Sequence, residues 1–288
     1  MRVALIGVGM IGGSLLAAWR SARLIEAATG CDIDAAALEA ARARGLIDRG
    51  YGSVAEAVAG ADLVVVATPV GAMADAFRQM APALGGATVV TDVGSTKLDV
   101  IAHARAALGA AFPRFVPAHP IAGKETHGVA QADASLFAGR RSIVTPLAET
   151  EPTALQRVED LYARAGAVVE RMDAAEHDRI FAAVSHLPHL LAFALVAAIG
   201  GQPDGERRLH YGGAGFRDFT RIAASSPALW RDICVANRAA LGEELRRYRD
   251  LLERLQRAVD CGDAAALEEV FAQAARLRRQ ASGGNDGR

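Results

Sequence analysis

The stretch Arg2-Val3-Ala4-Leu5-Ile6-Gly7-Val8-Gly9-Met10-Ile11-Gly12 decides the fold. Its apolar run is short and breaks into glycines, as a buried strand does when it enters a tight turn. A helical pattern follows to about Arg23, and a second strand, Ala27–Asp32, ends on an acid twenty residues after Gly12. In that setting Gly7 makes the turn and Gly9 lets the backbone approach a pyrophosphate. Gly12 lets helix and strand pack closely, and Met10 and Ile11 open the helix whose N-terminus holds the phosphates. Asp32 would accept hydrogen bonds from the adenosine ribose and repel a 2′-phosphate, which favours NAD over NADP. Asp34 is the competing acid, but it fits better as the cap of a helix over Ala35–Arg44 that Gly45 ends.

Further along, Ser53 and Glu56 form a capping box for a short helix. Leu63–Ala67 and Thr88–Thr91 are strand-like runs, and Phe115–Pro117, Ser142–Thr145 and Ala167–Arg171 read as additional strands. This alternation predicts an α/β fold, a Rossmann-type, doubly wound, parallel sheet covered by helices. After Met172 the strand signals stop, so the expected division is a dinucleotide-binding domain at 1–172 and an all-helical domain at 173–281, with a polar, disordered tail at 282–288. Ser226 and Pro227 supply a cap and an N1 proline for a long amphipathic stretch marked by Leu229, Ile233, Leu241, Leu245, Tyr248, Leu252, Leu255 and Val259. One helix of ~33 residues would run ~50 Å, more than one domain needs for its own core, so two chains are expected to share it as a homodimer.

Composition excludes several classes. Charged residues are 23% and the net charge is -1, which gives no basic surface for nucleic acid or an anionic membrane. Cys31, Cys234 and Cys261 are scattered and odd in number, so no disulfide framework follows, and a reduced cytoplasmic setting is expected. Ile180–Gln202 carries no Asp, Glu, Lys or Arg and is long enough to span a bilayer. It holds two histidines and a proline and has no basic flank marking a cytoplasmic side, so the expectation is a helix buried in the protein or a subunit interface rather than a membrane span.

The chemistry concentrates in four places. Thr68-Pro69 follows a strong strand at the sheet's C-terminal edge, where open parallel sheets bind ligands. Asp92-Val93-Gly94-Ser95-Thr96-Lys97 ends another strand there; Ser95 reads as a helix N-cap on its own, and its place at the edge makes it a contact for substrate or nicotinamide. His119-Pro120-Ile121-Ala122-Gly123-Lys124-Glu125 puts an imidazole in a loop fixed by Pro and Gly, with Lys124 and Glu125 close by. His186 and His189 lie three apart, a spacing that can bind metal, but Pro188 intervenes and no metal is expected; His186 reads equally well as a buried, hydrogen-bonded residue. Arg221, judged by spacing, would be an ion pair with Asp218 or Asp232. His103, His127, His177 and His210 read as solvated or capping residues.

The segments Asp92–Lys97, His119–Glu125, Ser185–His189 and Gly215–Ala223, in this order after the glycine motif, resemble the prephenate dehydrogenase family, which includes cyclohexadienyl and arogenate dehydrogenases of tyrosine biosynthesis. The resemblance runs from Met1 to about Leu277. It implies NAD as cofactor, prephenate or arogenate as small-molecule substrate, and a helical dimerisation domain. It implies His119 as the group that hydrogen-bonds the substrate's ring hydroxyl, Ser95 beside that hydroxyl and the nicotinamide, and His189 and Arg221 on the substrate carboxylates. Glu125 matches a polar residue of the same pocket, and Lys124 departs from the Ser or Thr of that position. A β-hydroxyacid-type dehydrogenase and a non-catalytic NAD sensor are the alternatives; the first expects a catalytic lysine in the helical region, and the second has no need for His119, Ser95, His189 and Arg221 together.

Overall fold

The computed structural model describes residues 1–123 and 128–283. The N-terminal half alternates as read, with the short edge strand β3 added: β1 (Arg2–Ile6), α1 (Met10–Ser21), β2 (Ala27–Cys31), α2 (Ala35–Ala43), β3 (Arg49–Tyr51), α3 (Val54–Val58), β4 (Leu63–Val66), α4 (Val70–Met80), β5 (Val89–Asp92), α5 (Leu98–Leu108) and β6 (Phe115–Val116). All six strands pair in parallel in the order β3-β2-β1-β4-β5-β6. The order reverses between β1 and β4, and a crevice opens at the carboxyl ends of those two strands.

Both faces of this sheet are covered, which is why its strands are apolar throughout. Val3 and Leu5 of β1, with Leu63 and Val65 of β4, pack under Leu15, Leu16 and Trp19 of α1 and Val158 and Tyr162 further on. Ala4, Ile6, Val64 and Val66 pack the other way, against Met73 and Phe77 of α4 and Val100 and Ala104 of α5.

The later strands do not join this sheet. β7 (Ala118–Pro120), β8 (Arg141–Val144) and β9 (Val168–Arg171) form a second, three-stranded sheet, β7 antiparallel to β8 and β8 parallel to β9, with α6 (Pro152–Arg164) before β9. The reason is Pro117. It has no N–H to extend the β5–β6 ladder, and its carbonyl instead accepts Thr145 N–H at 3.0 Å. His119 therefore sits on the β7 strand rather than on a loop, at the junction of the two sheets.

The remainder is helical: α7 (Ala174–Phe181), a π-helical turn over Ala182–His186, α8 (Leu187–Gly200), α9 (Gly205–His210), α10 (Ala214–Thr220), α11 (Pro227–Ala236), α12 (Arg238–Cys261) and α13 (Ala264–Gly283). The single long helix expected after Pro227 is interrupted. Ser226 caps α11 as read, but Asn237 leaves helical geometry and buries its amide, which donates to the Asp178 carbonyl at 2.8 Å. α13 continues through Gly283, so the tail expected to be disordered from 282 begins as helix. The chain divides into two compact units, residues 1–240 and residues from Leu241 onward. The second is a helical pair joined by an Arg254–Glu269 ion pair at 2.8 Å, with Leu251, Leu252, Val259, Phe271 and Leu277 exposed.

Candidate active site

The glycine loop uses each glycine differently. Gly7 has φ +88°, and a Cβ there would stand 2.6 Å from the Thr68 amide nitrogen. A Cβ on Gly12 would meet Leu5 Cδ1 at 2.4 Å, so close packing of α1 on β1 requires glycine. A Cβ on Gly9 would meet nothing within 4 Å, and Gly9 faces open space at the N-terminus of α1. Asp32 is pinned to this loop: it accepts Val8 N–H at 2.6 Å and Asp34 N–H at 2.9 Å. Each carboxylate oxygen keeps a further acceptor site for a ribose hydroxyl. Asp34 accepts Ala36 N–H at 2.9 Å and caps α2.

A cleft of about 1040 Å³ opens over the crevice between β1 and β4. Gly9, Met10, Ile11, Thr68, Pro69, Ser95, His119 and His189 all line it, together with Phe181, Val184, Ile222 and Trp230. Among the described residues the buried Thr68 hydroxyl has no partner, as expected of a group kept for a ligand. Gly7 and Gly12 shape the loop behind this wall. Arg221 opens a single 3₁₀ turn whose next residue, Ile222, lines the cleft; Arg221 itself is exposed. Gly123 and Gly128 line the cleft, while Lys124 and Glu125 lie outside the described residues.

Behind His119 lies a chain of buried groups. His119 Nδ1 is 2.9 Å from His177 Nε2, and His177 Nδ1 is 2.8 Å from Asp178 Oδ1. Asp178 also accepts the backbone N–H of Lys97 at 2.8 Å and of Leu98 at 2.9 Å. His177 is therefore neither solvated nor a cap, as its sequence suggested: it is fully buried. Its Asp178 partner is adjacent in sequence, but the His119 contact that brings it to the site comes from 58 residues away. Phe181 packs edge-on against His119, ring centroids 5.0 Å apart. Burial above all, then the neighbouring His177, Lys97 and His186, holds His119 well below the ordinary imidazole range, so it is neutral at pH 7. His177 is lowered too, chiefly by burial, with Asp178 opposing.

His186 takes the structural role: it is fully buried, Asn237 lies 3.0 Å from its Nδ1, and burial pulls its pKa down to about 4. His189 does line the cleft. Its Nδ1 donates to the Ser185 carbonyl at 2.9 Å, and its ring stacks on Trp230 at 3.5 Å. The π-helical turn over Ala182–His186 lets one continuous segment aim Ser185 and His189 into the cleft while His186 stays behind it.

Asp92 and Lys97 form a fully buried ion pair beneath the sheet edge. Lys97 Nζ also donates to the Ala118 carbonyl at 2.6 Å, and Asp92 Oδ1 accepts Ala118 N–H at 3.1 Å. The pair thus grips both backbone groups of the residue before His119. Burial lowers the Lys97 pKa and Asp92 opposes that shift.

A parallel sheet with a glycine loop at its switch point, and a neutral imidazole across the cleft, define a nucleotide-binding dehydrogenase. Residues 18–171 match the family description "Prephenate dehydrogenase, nucleotide-binding domain", and residues 173–273 match "Prephenate dehydrogenase, dimerization domain". Cyclohexadienyl dehydrogenase of Zymomonas mobilis is 34% identical over 278 residues, covering 96% of this chain and 94% of that one. The crystal structure of prephenate dehydrogenase from A. aeolicus with hydroxyphenyl propionate and NAD+ superposes with a TM-score of 0.88 at 32% identity, covering 97% of each chain. Synechocystis arogenate dehydrogenase has a TM-score of 0.79 at 26% identity, covering 97% of this chain and 99% of that one. The chain belongs to the prephenate dehydrogenase family.

Proposed function

We propose that this protein is an NAD-dependent prephenate or cyclohexadienyl dehydrogenase in which His119 takes the ring-hydroxyl proton. The observation that carries the reading is the placement of His119: a neutral imidazole on the cleft wall, with Nδ1 engaged by His177, so that Nε2 is left for the substrate. NAD+, when held by the glycine loop and Asp32, would supply the hydride acceptor for the carbon that bears the hydroxyl. The O–H bond breaks as His119 Nε2 takes the proton. Loss of CO2 from the opposite ring carbon delivers its electron pair into the ring, which becomes aromatic, and the phenolate oxygen regains the proton from His119. Aromatisation drives the reaction, so the protein chiefly orients the reactants and handles one proton.

The other roles rest on position in the cleft and, for Ser95, His189 and Arg221, on the family resemblance. Gly9 and the start of α1 receive the pyrophosphate, and Asp32 receives the ribose and disfavours a 2′-phosphate. Ile33, beside Asp32 and wholly exposed, gives the adenine an apolar seat. Ser95 sits beside the ring hydroxyl and the nicotinamide. His189, oriented by Ser185 and Trp230, and Arg221 hold the substrate carboxylates; Arg221 offers a planar fork suited to that group. The family resemblance adds Glu125 and Lys124 to the same pocket and supports an enzyme of tyrosine biosynthesis with domains meeting near 172; the three scattered cysteines suit a cytoplasmic setting.

A homodimer fits the same reading. The dimerization-domain match covers 173–273, and an 18-residue window of the helical run Ala174–Gly200 has mean hydropathy 1.9 with only 28% of it buried by its own chain. A second copy covering that face accounts for its composition better than a bilayer, since the segment carries cleft residues such as Ser185 and His189. The experiment is NADH formation at 340 nm with prephenate and with arogenate, using NAD+ and NADP+ in turn. Turnover with NAD+ and either substrate supports the reading; none with either substrate would sink it.

A further inference from the structure

We infer that His177, clamped by Asp178, is a positioning residue that fixes the tautomer of His119 and so decides which of its ring nitrogens is the base. The inference rests on the reading of His119 as the proton acceptor and adds what makes it one.

The argument is a count of donors and acceptors along a buried chain. The Asp178 carboxylate can only accept, and it is anchored by the amides of Lys97 on Oδ1 and Leu98 on Oδ2. His177 Nδ1, 2.8 Å away, must therefore carry the proton and donate it. A neutral imidazole has one N–H, so His177 Nε2 is a lone pair. That lone pair meets His119 Nδ1 at 2.9 Å, which obliges His119 to carry its proton on Nδ1. His119 Nε2 is then unprotonated before any substrate arrives. An imidazole with the opposite tautomer would offer the substrate hydroxyl a donor and could not take its proton.

The surroundings keep the chain in this state. The charged groups near His177 are Asp178, Lys97 and Asp92, and His186 stands near His119. Phe181 packs on both rings, with centroids 4.5 Å from His177 and 5.0 Å from His119, and holds them side by side. When Nε2 gains the substrate proton, the Nδ1–H bond to His177 becomes charge-assisted, and Asp178 strengthens it through His177. No further proton needs to move.

The test has a spectroscopic and a kinetic arm. In the wild-type protein, without ligands, with histidines labelled with ¹⁵N and the His119 signals assigned by their loss in His119→Asn, His119 should show the Nδ1–H tautomer near neutral pH. An Nε2–H tautomer would overturn the inference. In the kinetic arm, His177→Phe keeps a ring but removes the acceptor, and kcat should fall about 10²- to 10⁴-fold, the scale of wrong-tautomer and lost-base effects, with KM for NAD+ little changed. His177→Gln can still accept from Nδ1–H through its carbonyl and should recover at least about a tenfold part of that loss. Wild-type kcat in His177→Phe, or His177→Gln as inactive as His177→Phe, would overturn the proposal. If His177→Phe does not fold, the wild-type tautomer and the kcat of His177→Gln decide. Because the tautomer is read without turnover, absence of activity in the wild type would refute the proposed function and leave this inference to be judged on its own.

Discussion

The two walls of the cleft are built on opposite principles. The glycine wall recognises with backbone: Gly9 leaves open space, Asp32 is tied to the loop through Val8, and the helix end supplies the positive pole. The histidine wall recognises with side chains that are expensive to bury. His177, Asp178 and the Asp92–Lys97 pair lie away from water and are tolerated because they are hydrogen-bonded, and they back His119, which keeps Nε2 on the cleft wall. Cofactor binding needs shape, which glycines give at little cost. Proton transfer needs an imidazole of defined state, which only a buried network gives. Changes on the glycine wall should therefore alter affinity or packing, whereas changes on the histidine wall should alter chemistry or stability.

The largest expected effect is on the histidine wall. His119→Asn keeps a hydrogen-bonding group but no base, and should lower kcat about 10²- to 10⁴-fold with NAD+ binding intact. The pH–rate profile checks it. Burial depresses the wild-type imidazole, so the acid limb should begin well below pH ~6.5 and should vanish in the variant.

Next comes Lys97→Met, which leaves Asp92 buried without its cation. A loss of about 3–5 kcal/mol in urea-induced unfolding is expected, the cost of breaking one half of a buried pair. A loss under about 1 kcal/mol would mean that water replaces the ammonium, and the contrast between the walls would weaken.

The histidines also link stability to pH. His186 falls to about 4 when folded, against ~6.5 unfolded, so the unfolded chain binds the extra proton between those values. Stability should be full above pH ~6.5 and decline as the pH falls toward 4. Thermal melts across that window should show it, and His186→Gln should flatten the slope. A flat wild-type profile would contradict the assignment.

The smallest effects separate two glycines. Gly12→Ala drives a methyl into Leu5 and should cost about 1–3 kcal/mol of stability. Gly9→Ala meets nothing in the ligand-free chain, so stability should stay within about 0.5 kcal/mol while the NAD+ Kd rises about tenfold. If Gly9→Ala leaves Kd unchanged, the pyrophosphate lies elsewhere.

Much of the fold was legible because its signals are local. The strand-glycine-helix sequence of β1 and α1, the Asp34 and Ser226 caps, and the acid at Asp32 each follow from a few neighbouring residues. The break at Asn237 was not, since the 3.6-residue period of apolar positions continues across it; the amide turns inward for Asp178, a residue 59 positions away. The second sheet was hidden for a similar reason: Pro117 announces a stop, but not which strands pair afterwards.

The sequence by itself determined the nucleotide-binding half, the change to helices after Met172 and the identity of His119, because periodicity, caps and short motifs are written in adjacent residues. Only the tertiary structure decided that His177 and Asp178 stand behind His119, that Lys97 grips Ala118, and that His186 turns inward while His189 faces the cleft. Those are contacts between segments far apart in the chain. Their physical content, which nitrogen is protonated and which charge is desolvated, exists only once the segments have packed.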